Sequence, residues 1–382
     1  MRFRWFALSC VVAGILSCSG GGGSTSSPAN PKGGVFAYVV NEGGDNVTAF
    51  TIGSGGVFSY LNGSLTTSAF TTGSLPWAAA ASPNGNYLYV ANMGTSATAG
   101  GTGTISAFTI SPNGVLGPIT TGSLTTGAFP VGIAVSPNGD YLYISNQGGS
   151  NEILTFAIGS GGQLAPLGKT TGLQEPLGIA VSPNGQFLYV TNQTSTGPNG
   201  IAVFTIGSDG TLSAITSGSF TTGEGPTAIA ISPDGLYLYV TNCNMYGGTG
   251  NQISAFAIGA GGVLSAITTG TFVTPGQDGI GIAISPNGKY LYVTNAGTGA
   301  GGISAFSIGS GGALAPIGSY PTGGDPWYIA ISPDGASLYV TNVNSSSISA
   351  FAVGSDGTLS SIANTIFSTG FSGPAGICIV TR

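Results

Sequence analysis

The chain has 382 residues, of which 69 are glycine and only 5% are charged, with twelve acids against six basic residues and no histidine. Short β-branched and aromatic runs alternate with Gly-rich turns, and no stretch rich in Ala, Leu, Glu and Lys marks a long helix, so the class is all-β. Arg2 and Arg4 sit at the start, which leaves only the scattered Lys32, Lys169, Lys289 and Arg382. They cannot form the basic patch that neutralises phosphates, and nucleic acid is excluded as a partner.

In chain order, Arg2 and Arg4 precede an apolar run over 5–16 that ends at Ser17-Cys18. A basic start and an apolar stretch of this length predict an export signal over 1–17; a membrane-spanning helix needs about 20 apolar residues. Ile15-Leu16-Ser17-Cys18 resembles a bacterial lipobox, which makes Cys18 the candidate lipidation site. Residues 18–32 are a Gly/Ser-rich tether, as an acylated N-terminus requires. The expectation is an exported protein, lipid-anchored in the cell envelope at the outer membrane. A plain secretory signal that happens to contain a cysteine is the alternative.

Residues 33–382 repeat. Tyr/Phe-Leu-Tyr-Val-x-Asn occurs with central tyrosines Tyr38, Tyr89, Tyr143, Tyr189, Tyr239, Tyr292 and Tyr339, and a period near 50 built of short strands predicts propeller blades. Each unit reads as four strands. An inner strand A (131–135) leads through Ser-Pro-Asn-Gly to strand B (141–145). Strand C (as 105–110) and a Gly-rich turn then lead to strand D (as 115–120). In the turn, proline presets one corner and glycine takes the left-handed one.

The Ser-Pro-Asn/Asp-Gly turn starts at Ser82, Ser136, Ser182, Ser232, Ser285 and Ser332, six times for seven B strands. The domain begins with an orphan strand B (35–40) and ends with an orphan strand A (375–380). The expected fold is one seven-bladed β-propeller of four-stranded antiparallel blades, its ring closed by pairing of the C-terminal strand A with the N-terminal strand B. Closure removes exposed sheet edges. Cys243 and Cys378 fall in different blades, and no disulfide is expected.

The Ser-Pro-Asn-Gly-x-Tyr-Leu-Tyr-Val-Thr-Asn and Ile-Ser-Ala-Phe-x-Ile motifs resemble those of the lactonase-type seven-bladed propeller family across essentially the whole mature domain. That family includes 6-phosphogluconolactonases, a muconate-cyclising enzyme and non-enzymatic surface proteins. The resemblance implies Arg, His and Glu at the central mouth of the active members. This chain has no histidine, and its one mature arginine is Arg382, so no catalytic position carries over. A phosphorylated sugar acid would find no cation cluster, and a Ser-His-Asp triad or His-ligated metal is excluded.

The B–C and D–A loops vary while the opposite turns are uniformly tight, which places function on the variable face. Its D–A loops carry Glu175, Glu224, Asp278 and Asp325 just before the inner strands of blades four to seven, where earlier blades have Leu75 and Phe129. Carboxylates gathered on one arc predict a cationic ligand or Ca²⁺, which prefers oxygen ligands; solvated surface acids are the alternative. Trp77 and Trp327 begin strand A in blades two and seven, as an aromatic platform for a sugar or as packing between blades. The leading expectation is a monomeric binding or scaffold propeller that takes a glycan, cation or protein without turnover. The alternative is a lactonase-like hydrolase of an uncharged or cationic ring ester.

Overall fold

Small residues set among branched ones along the inner strands let seven blades crowd around one axis. The computed structural model describes residues 34–94, 103–120, 124–149, 151–193, 199–216, 220–243, 252–267, 272–273, 279–296 and 301–382. The signal, Cys18, the tether and Asp278 lie outside them. Blade four shows the plan: Pro176–Val181, Phe187–Asn192, Gly200–Ile206 and Leu212–Ala214 pair in chain order from the axis outward.

Blade one is made from both ends of the described chain. Val35–Asn41 pairs antiparallel with Pro374–Thr381, with Tyr38 opposite Cys378, and its other edge pairs with Asn46–Ile52. The inner strands contact one another in a circuit that closes where Pro326–Ile331 meets Pro374–Thr381. The boundary between blades two and three departs from the predicted pattern. There Thr125–Val135 runs longer than the expected inner strand, and its first residues pair with Gly103–Ile110 of blade two. Blades two and three therefore share one continuous sheet.

The repeated motif is a set of seam contacts. Each central tyrosine donates its hydroxyl to a glycine carbonyl in the next blade's C–D turn, at 2.8–3.2 Å: Tyr38 to Gly114, Tyr89 to Gly162, Tyr143 to Gly210, Tyr189 to Gly262, Tyr239 to Gly312, Tyr292 to Gly357 and Tyr339 to Gly56. All seven rings are 0% exposed. Burial pushes their hydroxyls above the ordinary tyrosine range.

Two residues on, a hydroxyl makes a second link at five seams. Ser145, Thr191, Thr241, Thr294 and Thr341 accept an N–H from their own inner strand. Each donates to a carbonyl of the next blade's inner strand at 2.5–3.1 Å. Val40 and Ala91 take this position in blades one and two and cannot form the link.

The Ser-Pro-Asn/Asp-Gly turns close by local bonds. Ser82 donates to Asn84 Oδ1 at 2.7 Å and accepts the Tyr87 N–H at 3.0 Å, while Gly85 lies at φ +71°. Asp234 and Asp334 fill the asparagine position with the same bonds. Cys243 and Cys378 are buried thiols and form no disulfide.

Candidate functional site

The face opposite these turns is built where each inner strand begins and each strand B ends, because Pro176 pairs with Asn192, Pro226 with Asn242 and Pro326 with Asn342. In six blades the described residue just before the repeated start of strand A is held in the left-handed region: Leu75 (φ 51°), Phe129 (57°, inside the extended Thr125–Val135), Glu175 (41°), Asp325 (60°), Gly225 (61°) and Gly373 (66°). For a side-chain-bearing residue this costs roughly 1–2 kcal/mol. The geometry turns the carbonyl toward the end of strand B. Met93, Val343 and Glu42 donate their N–H groups to Leu75, Asp325 and Gly373 at 2.9 Å, and Cys243 donates to Gly225 at 2.8 Å. The rim is thus fixed by backbone, and its side chains are free to vary.

Glu175 and Asp325 are equivalent and half-buried. Glu224 is not in their register: Gly225 takes that position, and Glu224 is exposed one residue earlier. Among the described residues no three acids or thiols gather closely enough to hold a metal ion. The Ca²⁺ expectation therefore has no described cluster behind it, and its fourth residue, Asp278, lies outside the described residues.

Trp77 and Trp327 do meet. Their ring centroids are 5.1 Å apart at 70°, an edge-to-face pair. Trp77 is 1% exposed and belongs to a buried apolar cluster that includes Val131, Leu177, Tyr328 and Ala375, whereas Trp327 is half-buried. Trp77 therefore presents no face to solvent, and a platform for a sugar is confined to the open part of Trp327.

Two acids that sequence reasoning passed over complete the rim. Glu42 follows Asn41 at the end of strand B, in a short 3-10 turn pinned to the last segment by Glu42 N–H to Gly373 (2.9 Å) and Gly43 N–H to Ser372 (3.0 Å). Its half-buried carboxylate meets no donor or cation among the described residues, and burial raises its pKa above the ordinary carboxylate value. Asp45 accepts the Leu75 N–H on Oδ1 at 2.8 Å, tying the blade-one loop to the rim of blade two. Glu42 comes directly after the motif asparagine and Asp45 four residues after it, in a loop too short to carry either far from the mouth.

Cations are scarce here. Lys289 and Arg382 belong to the turn face, where Arg382 bonds Asn86. Lys169 lies off the axis and pairs with the buried Glu152 at 3.3 Å, beside a cleft of about 320 Å³ floored by Leu124, Leu154 and Phe156. The mouth thus combines an apolar arc (Leu75, Met93, Phe129) with Glu42, Glu175 and Asp325. Such a rim attracts positive charge and repels phosphate.

The sequence pattern of the family described as lactonase, 7-bladed beta-propeller, matches residues 28–178, 119–217, 171–246 and 251–379. No curated protein sequence matches the chain. Among solved structures, a provisionally assigned 6-phosphogluconolactonase of Bacteroides fragilis is 22% identical with a TM-score of 0.76, over 93% of this chain and 100% of that one. A second from Bacteroides uniformis is 21% identical with a TM-score of 0.75, over 91% and 100%. The periplasmic gluconolactonase of Pseudomonas aeruginosa is 19% identical with a TM-score of 0.74, over 91% and 99%. At these identities the likeness is one of fold.

Proposed function

Because the chain belongs to the seven-bladed lactonase β-propeller family, we propose that it keeps the family scaffold as a binding module: a cell-envelope protein, anchored through Cys18, that captures a cationic ligand at its variable-loop face without turnover. One observation carries this reading. Glu42 is a rigidly held, half-buried carboxylate without a partner among the described residues, on a face whose one described cation is already paired. A ligand ammonium group would neutralise Glu42, with Glu175 and Asp325 adding longer-range attraction and Trp327 a partly open aromatic ring.

Calorimetric titration with spermidine as the probe tests it. Saturable binding that weakens with added salt and falls roughly five- to tenfold in Glu42→Gln, about one hydrogen-bonded charge contact, supports the proposal. Equal affinity of the two proteins sinks it.

The raised pKa of Glu42 favours one second reading, hydrolysis of an uncharged ring ester. The carboxylate would take a proton from water as the oxygen attacks the carbonyl carbon, and would return it to the ring alkoxide when the C–O bond breaks. Proton release from δ-valerolactone above background, abolished in Glu42→Gln, would favour this reading over pure binding.

A further inference from the structure

Four buried polar atoms around the split blade have no partner among the described residues: Oδ1 of Asn41 and of Asn342, and the indole Nε1 of Trp77 and of Trp327. Both asparagines are 0% exposed. Their Nδ2 groups are committed, Asn41 to Asn46 Oδ1 and the Thr48 hydroxyl at 2.8 Å, and Asn342 to the Ser347 and Ser349 hydroxyls at 3.2 and 2.9 Å. The loops on either side of both asparagines are described throughout, yet none of their N–H groups reaches the amide oxygens. In blade seven the Gly323 N–H goes to Ser349 instead, at 3.1 Å.

Blade four differs, and its Asn192 is half-buried rather than fully buried. There the Gln174 N–H turns inward and meets Asn192 Oδ1 at 2.7 Å. The asparagine at this register thus takes a loop N–H in blade four, where Asn192 is half-buried, while the amide oxygens of Asn41, Asn92, Asn242, Asn295 and Asn342 have no partner among the described residues.

Buried polar atoms are nearly always satisfied. The unsatisfied set here mixes pure acceptors, the amide oxygens, with pure donors, the indole N–H groups. An anion would suit only the indoles and a cation only the amides. Water both donates and accepts, so it meets either kind of atom at its own place, and the close packing around Asn41, Asn342 and Trp77 admits no larger molecule. Interchanging amide oxygen and nitrogen would leave an NH₂ group in the same position with the same need. We infer that ordered water molecules are built into the floor of the mouth at blades seven, one and two, bonded to Asn41 and Asn342 Oδ1 and to the indole N–H groups of Trp77 and Trp327.

A crystal structure of the purified protein that resolves ordered solvent tests this directly. Water within about 3.2 Å of Asn41 and Asn342 Oδ1 and of both indole nitrogens is the expected result. Loop N–H groups bonded to Asn41 and Asn342, or no solvent density beside them, would overturn the inference. Asn342→Leu should lose the water of blade seven and keep that of blade one. Persistence of the blade-seven water would show that other groups hold it and would equally count against the assignment. If that variant does not fold, the map of the unaltered protein decides alone.

Discussion

Tyr339 of the last blade donates its hydroxyl to the carbonyl of Gly56 in the first, 2.9 Å away and 283 residues apart in sequence. The same bond at the other seams spans only 65 to 76 residues. Tyr339 and the pairing of Val35–Asn41 with Pro374–Thr381 both lock the ring shut.

Replacing Tyr339 with Phe keeps the ring and removes the donor, leaving a buried carbonyl unpaired. The expected cost is about 1–3 kcal/mol, read as a lower urea midpoint at unchanged slope. Tyr60 also bonds a carbonyl, that of Ser368 at 2.9 Å, but in an exposed setting, so Tyr60→Phe should fall within about 0.5 kcal/mol of the parent. Equal effects would mean that burial does not set the value of the seam bond.

Thr341→Val is nearly isosteric, yet it deprives the Tyr328 N–H of its acceptor and the Ala375 carbonyl of its donor. We expect a loss of about 1–3 kcal/mol in the same unfolding measurement. A neutral result would imply that the seam relaxes, as it must where Val40 and Ala91 replace the hydroxyl.

Blade number, strand order and the split blade were legible because each blade repeats the same local solution: a Pro-Asn-Gly turn, a seam tyrosine and a strand-ending asparagine. Continuity of the sheet across blades two and three was not, since the pairing of Gly103 with Gly127 carries no mark that distinguishes it from a loop. At the mouth, reading acids by distance from the next inner strand put Glu175 and Asp325 in one register but misplaced Glu224, because a one-residue offset is invisible without the φ of Gly225. Glu42 was missed for a different reason. Its significance lies in burial without a partner, which only three-dimensional packing reveals.

The seven seam tyrosines make alkaline unfolding steep. Burial lifts each above the ordinary tyrosine value of 10.0, Tyr339 to about 12 and the others further. The folded state therefore holds protons that the unfolded state releases. Stability should be unaffected by these groups below pH 10 and should fall as pH rises beyond it, by up to about 1.4 kcal/mol per pH unit for each tyrosine. Thermal melts across this range test the slope, and Tyr339→Phe should make it shallower by one proton.

Calcium should give no stoichiometric heat up to about 1 mM, the weak end for extracellular modules. Glu224 is out of register, and no three described acids converge. Uptake of one ion per chain, lost in Glu175→Ala, would overturn this expectation and point to Asp278 as the missing ligand.

Glu42 sets function against stability. Its pKa is raised from 4.5 by burial, so the folded state favours the protonated form. The sign follows from linkage: stability from this group is present below the unfolded pKa and is lost as pH rises through the folded one. At neutral pH the charged carboxylate therefore burdens the fold, and Glu42→Gln should melt higher than the parent there, with the difference vanishing as the pH falls below the ordinary carboxylate range. The same substitution should weaken spermidine binding. A gain in stability paired with a loss of affinity is the signature of a residue kept for its ligand rather than for its fold. Loss of both would instead mark Glu42 as a structural part of the turn that joins the two ends of the chain.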